Sequence, residues 1–335
     1  MYNRRTRAAA AFNYRARIRR RRVIFAIITL AAVGVIFAAV RPLSLNLGTR
    51  AGTGNQRREI QRLWENGDYL EVFDLCRAAL VSRPTDYFLL TMTGFSAFQT
   101  GVSRINSLDA AYYFDESVLS LRKATLLKNA ANDGRLYYVL GKAYWYKGES
   151  FADLSVKYLE KARELSYNAS DIPEFLGMAY ASLGDYRRSV AAFAEALNPQ
   201  ATGQTGDMAD GRADGGSQEQ PGLLLLSIAR SYLALNEYET ARAYLHRCIA
   251  VSPDSNIARQ AKLLLSEALF NTGDTGGAIR LLAETLEEFG ENAEIRFRLG
   301  ELYFRQGDTA RARAEWRLAV RADPAHAGAR LRLSL

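Results

Sequence analysis

Residues 296–324 read RFRLGELYFRQGDTARARAEWRLAVRADP, and the placing of Gly300, Gly307, Asp308, Ala312, Trp316, Ala319 and Pro324 in this stretch decides the fold. Two glycines stand seven residues apart among apolar side chains. The same pair recurs upstream as Gly94 and Gly101, Gly141 and Gly148, and Gly177 and Gly184. Aligned on the second position, turns are predicted at Gly67, Gly101, Gly148, Gly184, Asn236, Gly273 and Gly307, separated by 34, 47, 36, 52, 37 and 34 residues. A period of this length marks a stacked array of one structural unit, stretched twice by insertions.

Each unit reads as two helices. A compact residue sits five positions after most turns (Val72, Ser189, Ala241, Ala278, Ala312), and another sits twelve after (Ala79, Ala196, Cys248, Thr285, Ala319). Small side chains at these steps let two helices approach closely. Proline follows seventeen residues after three turns, as Pro84, Pro253 and Pro324, where it ends the second helix. One such pair cannot bury its apolar face alone, so neighbours must stack.

The pattern resembles the tetratricopeptide repeat family. In the last unit the resemblance rests on Arg296, Leu299, Gly300, Tyr303, Gly307, Asp308, Ala312, Trp316, Ala319 and Pro324. Elsewhere it rests on Leu176, Gly177, Tyr180, Gly184, Asp185, Tyr186, Phe193 and Ala196, on Tyr137, Leu140, Gly141, Tyr144, Gly148 and Ala162, and on Tyr232, Tyr238, Ala241 and Pro253. The resemblance implies an all-α, right-handed superhelical solenoid of about seven helix-turn-helix units. Units 1–4 are expected over residues 53–199 and units 5–7 over 222–326, with a short C-terminal capping segment over 327–335. Departures are local. Glu59 and Ile60 stand where the family favours leucine and glycine in the first helix, and an insertion falls near residues 102–111. Gly276 and Gly277 open a second helix at an expected cost of about 1 kcal/mol each relative to alanine. Leu331 and Leu333 in the tail are available to cover the last face.

The front end is of another kind. Residues 1–22 form a basic arm with nine arginines and no acidic residue, and residues 23–40 are an uncharged, mostly apolar run. At about 1.5 Å per residue, 18 residues span roughly 27 Å, just enough to cross a bilayer core. The run reads as one transmembrane helix, followed by a linker over residues 41–52; the rival reading is a cleaved signal peptide. A dense positive flank stays cytoplasmic, which places the array outside the inner membrane, in the periplasm of a double-membraned bacterium. The arm is expected to lie against anionic lipid headgroups.

The formal net charge is +8, and the arm alone supplies +9, so the remainder is balanced at 35 basic against 36 acidic residues. That balance argues against nucleic acid as a partner of the body. The two cysteines, Cys76 and Cys248, lie far apart in the array and read as buried free thiols. His246 is expected on an outward helix face, and His326 lies past the last proline; neither has a second ligand at metal spacing. No phosphate loop or serine elbow is present, and Asp207, Asp210 and Asp214 make the glycine-rich residues 211–216 repellent to phosphate. The chain reads as a binding protein with no cofactor, not as an enzyme.

Residues 200–221 are rich in Gly, Asp, Gln and Ala, a composition expected to remain disordered. They form either a loop thrown out of one continuous array or a hinge between two sub-arrays. The loop is favoured because Leu224, Leu225 and Ile228 offer the preceding helix an apolar face.

In arrays of this family the first helices line a concave groove. Helical spacing then assigns Phe88, Phe95, Phe98, Tyr138, Lys142, Trp145 and Tyr146 to that groove, with Arg230, Phe270, Phe297 and Phe304 further along. Aromatic anchors beside a few charges suit a protein partner. The lysine-and-asparagine clamp that some members use for a terminal carboxylate is not matched: the corresponding positions are Arg57, Gln61, Thr91, Phe95, Tyr138 and Lys142. The function expected is a membrane-anchored scaffold in an envelope assembly, such as a flagellar-motor collar or a cell-wall or division complex. The alternative is a periplasmic chaperone or assembly factor for secreted or outer-membrane clients.

Overall fold

The structure is a computed structural model and describes residues 53–105, 108–198 and 221–334. The basic arm, the expected transmembrane helix, the linker over 41–52 and residues 200–220 lie outside the described residues. Among the described residues there are fifteen α-helices and no strand, and no helix is long and apolar enough to cross a membrane.

The chain divides into two compact parts, residues 1–68 and 69–335. The described portion of the first is α1 (Thr53–Asn66). The second part contains α2 (Tyr69–Leu80), α3 (Tyr87–Ser103), α4 (Ala110–Thr125), α5 (Gly134–Tyr146), α6 (Ala152–Glu164), α7 (Ile172–Ser182) and α8 (Tyr186–Leu197). It continues with α9 (Pro221–Ala234), α10 (Tyr238–Val251), α11 (Ser255–Asn271), α12 (Thr275–Phe289), α13 (Ala293–Arg305), α14 (Thr309–Ala322) and α15 (Ala327–Ser334). Within the second part each helix packs on the next, and α3, α5, α7 and α9 also touch one another in succession.

The turns show why the sequence breaks where it does. Gly307 has φ +86°, and after it the N–H of Asp308 donates back to the carbonyl of Tyr303 at 2.9 Å. The same closure, five residues long, ties Asp68 to Leu63, Asp185 to Tyr180, Glu237 to Tyr232 and Asp274 to Leu269. These are left-handed helix ends in which the turn residue frees the backbone and the following N–H satisfies an orphan carbonyl. The aspartate then starts the next helix. Asp185, Asp274 and Asp308 accept the N–H groups of Arg188, Gly277 and Arg311. Each such cap contributes about 1 kcal/mol.

Two of the predicted turns differ. Gly101 lies inside α3, buried against the Phe114 ring, and the helix runs on to Ser103. No aspartate follows it to cap a new helix; Val102 stands there. Gly148 has φ +120° but leads into a short 3-10 turn over Glu149–Phe151. Gly276 and Gly277 fall in the first turn of α12, where Asp274 takes the Gly277 N–H. They therefore weaken α12 less than interior glycines would.

The first glycine of each pair serves packing rather than turning. A Cβ on Gly177 would come 2.6 Å from the Phe193 ring, and one on Gly300 would come 2.5 Å from the Trp316 indole. The small residues five positions after the turns are fully buried at Val72, Ser189, Ala241, Ala278 and Ala312, so the second helices also present little bulk at these steps.

On either side of residues 199–220, α8 and α9 pack directly. Phe193, Leu224 and Ile228 form one buried cluster, and the Ser189 and Ser231 hydroxyls meet at 3.0 Å. The array is therefore continuous across that segment. At the C-terminal end, Ala329 of α15 is buried with Ala312, Trp316 and Ala319, and Leu333 packs against them. Leu331, expected to share that cover, is exposed.

Candidate functional site

The groove positions on α3 and α5 come together, but mostly as interior. Phe98 of α3, Phe114 of α4 and Tyr146 of α5 interlock at ring separations of 6.2, 5.7 and 5.1 Å, and Tyr146 reaches Phe175 of α7 at 6.1 Å. Phe98, Phe95, Tyr138 and Lys142 are all buried. Arg135 lies over the Phe95 ring at 5.0 Å. Phe88, Trp145 and Tyr146 are half-buried and are the members of this set with surface to offer.

Lys142 is the unusual member. Its Nζ donates to Asp171 at 2.8 Å and to the Tyr138 hydroxyl at 3.0 Å, while that hydroxyl donates to both Asp171 oxygens at 2.9 Å. The rings of Phe175, Tyr138 and Phe98 surround the ammonium at 4.8, 4.9 and 5.6 Å. Asp171 immediately precedes α7, so the triad ties α5 to the start of the next first helix. A cation neutralised in this way holds neighbouring units in register and has little left to offer an anion. A similar tie links α3 to α5. The Tyr87 hydroxyl donates to Asp133 at 2.6 Å, and burial together with that bond pushes the phenol well above its ordinary range. Burial, followed by its bond to Glu160, raises Tyr180 in the same sense.

The downstream positions are more open. Arg230 is exposed and donates to Gln260 of α11 at 2.7 Å. Phe270 is half-buried beneath Arg305 at 4.7 Å, and Phe297 packs against the His326 ring at 5.0 Å. Phe304 is an exposed aromatic. Beside it lies a cavity of about 400 Å³ lined by Phe304, Thr309, Ala310, Arg313, Trp316 and Arg332. Arg332 is held by two bonds to Glu301 at 2.8 and 2.6 Å and lies over the Phe304 ring at 5.1 Å. The sequence reading named Phe304 but not Arg313 or Arg332; the signal available was seven arginines against three acidic residues over residues 305–335. His246 is exposed on α10, and His326 accepts the Ala329 N–H at the start of α15. Both cysteines are free and buried.

Profiles of the tetratricopeptide repeat match residues 174–198, 224–255 and 263–327. No curated protein matches the chain. Among solved structures, the chain is similar to the C-terminal part of a TPR repeat-containing protein from Cytophaga hutchinsonii, with a TM-score of 0.55 at 13% identity over 83% of this chain and 99% of that one. It is also similar to PilW, a widely conserved type IV pilus biogenesis factor, with a TM-score of 0.51 at 16% identity over 72% and 98% of the two chains. The chain carries tetratricopeptide repeats stacked as an all-α solenoid, a fold that mediates protein–protein interaction, and none of the matching profiles is catalytic.

Proposed function

We propose that this array of tetratricopeptide repeats is a scaffold tethered to the inner membrane by residues 23–40, with residues 1–22 cytoplasmic against anionic lipid and the repeats in the periplasm. The observation that carries the reading is the join of an 18-residue uncharged run, behind nine arginines, to a body of balanced charge. Protein partners are received along the first helices, through the side chains that retain surface there: Phe88, Trp145 and Tyr146 upstream, and Arg230, Phe270, Phe297 and Phe304 downstream. The assembly served is one of the cell envelope, a flagellar-motor collar or a wall or division complex.

Two measurements test this. A reporter enzyme active only outside the cytoplasm, fused after Leu335, is expected to be active, and full activity of a cytoplasmic reporter at the same position overturns the topology. Crosslinking of the membrane-bound chain is expected to capture one stoichiometric set of partners. A broad set of loosely held clients would instead identify a chaperone or assembly factor.

A further inference from the structure

α4 is the second helix of its unit, and its outward face differs from that of α6, the second helix of the next unit. On α6 the exposed side chains are Asp153, Lys157, Glu160, Arg163 and Glu164, all charged. α4 instead exposes Tyr112 at 44% and Leu119 at 50%, and Leu126, one residue past its end, at 84%. The three are spaced by seven residues, so they share one face that drifts by only about 20° per step. They run for about 21 Å along the helix at 1.5 Å per residue. An apolar stripe of this kind on a second helix calls for a cover.

The order of the charges names the cover. Asp115 and Glu116 precede Leu119, and Arg122 and Lys123 follow it at the mirrored distances. A second copy of α4 laid antiparallel about a two-fold axis through Leu119 sets residue 119 + n against residue 119 − n on the seam, and sets each flank against the same flank of its copy, reversed in direction. Leu119 then meets Leu119 and Tyr112 meets Leu126 along the seam, while on one flank Asp115 meets Arg122 and on the other Glu116 meets Lys123. Every apolar residue faces an apolar residue and every charge its opposite, whereas a parallel copy in register sets like charge on like. An interface that is its own complement is what two-fold symmetry requires. Within the chain, Asp115 pairs with Lys147, Glu116 lies 4.0 Å from Arg77, and Arg122 reaches the Tyr144 hydroxyl. Lys123 is exposed and has no ion pair among the described residues, while Asp115 keeps most of its surface and is able to take a second cation. We propose that α4 is a self-association face, through which two copies of this protein dock antiparallel on Tyr112, Leu119 and Leu126.

The full-length chain in mild detergent tests the proposal. With Leu119→Cys, gentle oxidation is expected to give a disulfide-linked dimer, because a residue on the two-fold axis meets itself within disulfide reach. The native Cys76 and Cys248 are buried and do not compete. His246→Cys, exposed on the second helix α10, is the control and is expected to stay unlinked. In sedimentation velocity, Leu119→Asp is expected to weaken dimerisation at least tenfold. Lys123→Glu is expected to weaken it as well, and adding Glu116→Lys to restore it, with unchanged helical circular dichroism throughout. A wild-type chain that stays monomeric at all concentrations, crosslinking at 119 no better than at 246, or a charge swap that fails to restore association overturns the proposal. Capture of a different protein on the stripe by a monomeric chain does so too.

Discussion

Replacing Asp171 with alanine removes the carboxylate 2.8 Å from the ammonium of Lys142, whose side chain is 4% exposed. Breaking a buried pair from one side costs about 3–5 kcal/mol, because the remaining charge stays buried without its counter-ion. Asp171 is itself 18% exposed, so some water follows the deletion, and the lower end of that range, about 3 kcal/mol, is expected. Lys142→Met should cost less, about 1 kcal/mol: the carboxylate left behind reaches solvent and keeps the Tyr138 hydroxyl as donor. Repeat arrays open locally, so a global unfolding midpoint dilutes the effect. Native-state hydrogen exchange over α5 and α7 reads it directly. Asp171→Ala is expected to speed exchange there about a hundredfold, with the last units unchanged, and Lys142→Met about tenfold or less. Equal effects from the two substitutions, or a change of less than tenfold in Asp171→Ala, would refute the reading of Lys142 as a neutralised tie between units.

Other positions give sharper local readouts. Gly177→Ala brings a Cβ to 2.6 Å from the Phe193 ring, and overpacking of this kind should cost about 1–3 kcal/mol, visible as faster exchange in α7 and α8. Glu237 starts α10 without a side-chain cap, so Glu237→Asp should stabilise that helix by about 1 kcal/mol; no change in its exchange would show that the shorter side chain does not reach the open N–H groups. Burial pushes the Cys76 thiol up to about 12 and raises Cys248 as well. Native protein at pH 8 should therefore resist thiol reagents, and both cysteines should label on unfolding. The unfolded thiol releases its proton from about pH 8.5 while the folded one keeps it, so stability should fall as pH rises above that value, by about 1.4 kcal/mol per unit for Cys76. Cys76→Ala should lose that alkaline slope, and an unchanged slope would assign it elsewhere.

The fold was legible because its turns are local. Gly184, Gly273 and Gly307 are each followed by an aspartate, and each pair of residues ends one helix and caps the next. The same rule explains the miss at Gly101: the glycine spacing matched, but Val102 offers no cap, and Phe114 needs the space that Gly101 leaves. Helical register assigns the groove residues to common faces. Register does not tell how much of a face a neighbouring unit takes. Lys142 read as a groove charge because its counter-ion, Asp171, lies 29 residues away and no periodicity links them. Arg332 over Phe304 depends in the same way on α15 folding back on the last pair. Leu331 and Ala329 show the limit of composition: the smaller side chain fills the interface, and the larger one faces water.

The direct contact of α8 with α9 has a practical consequence. Asn198 and Pro221 stand at the ends of helices packed together through Phe193, Leu224 and Ile228. Closure cost there grows only by about 0.6 kcal/mol for each doubling of the join. That seam is where a fluorescent domain, an affinity tag or a protease site could be spliced into the chain with the helices on either side still in register.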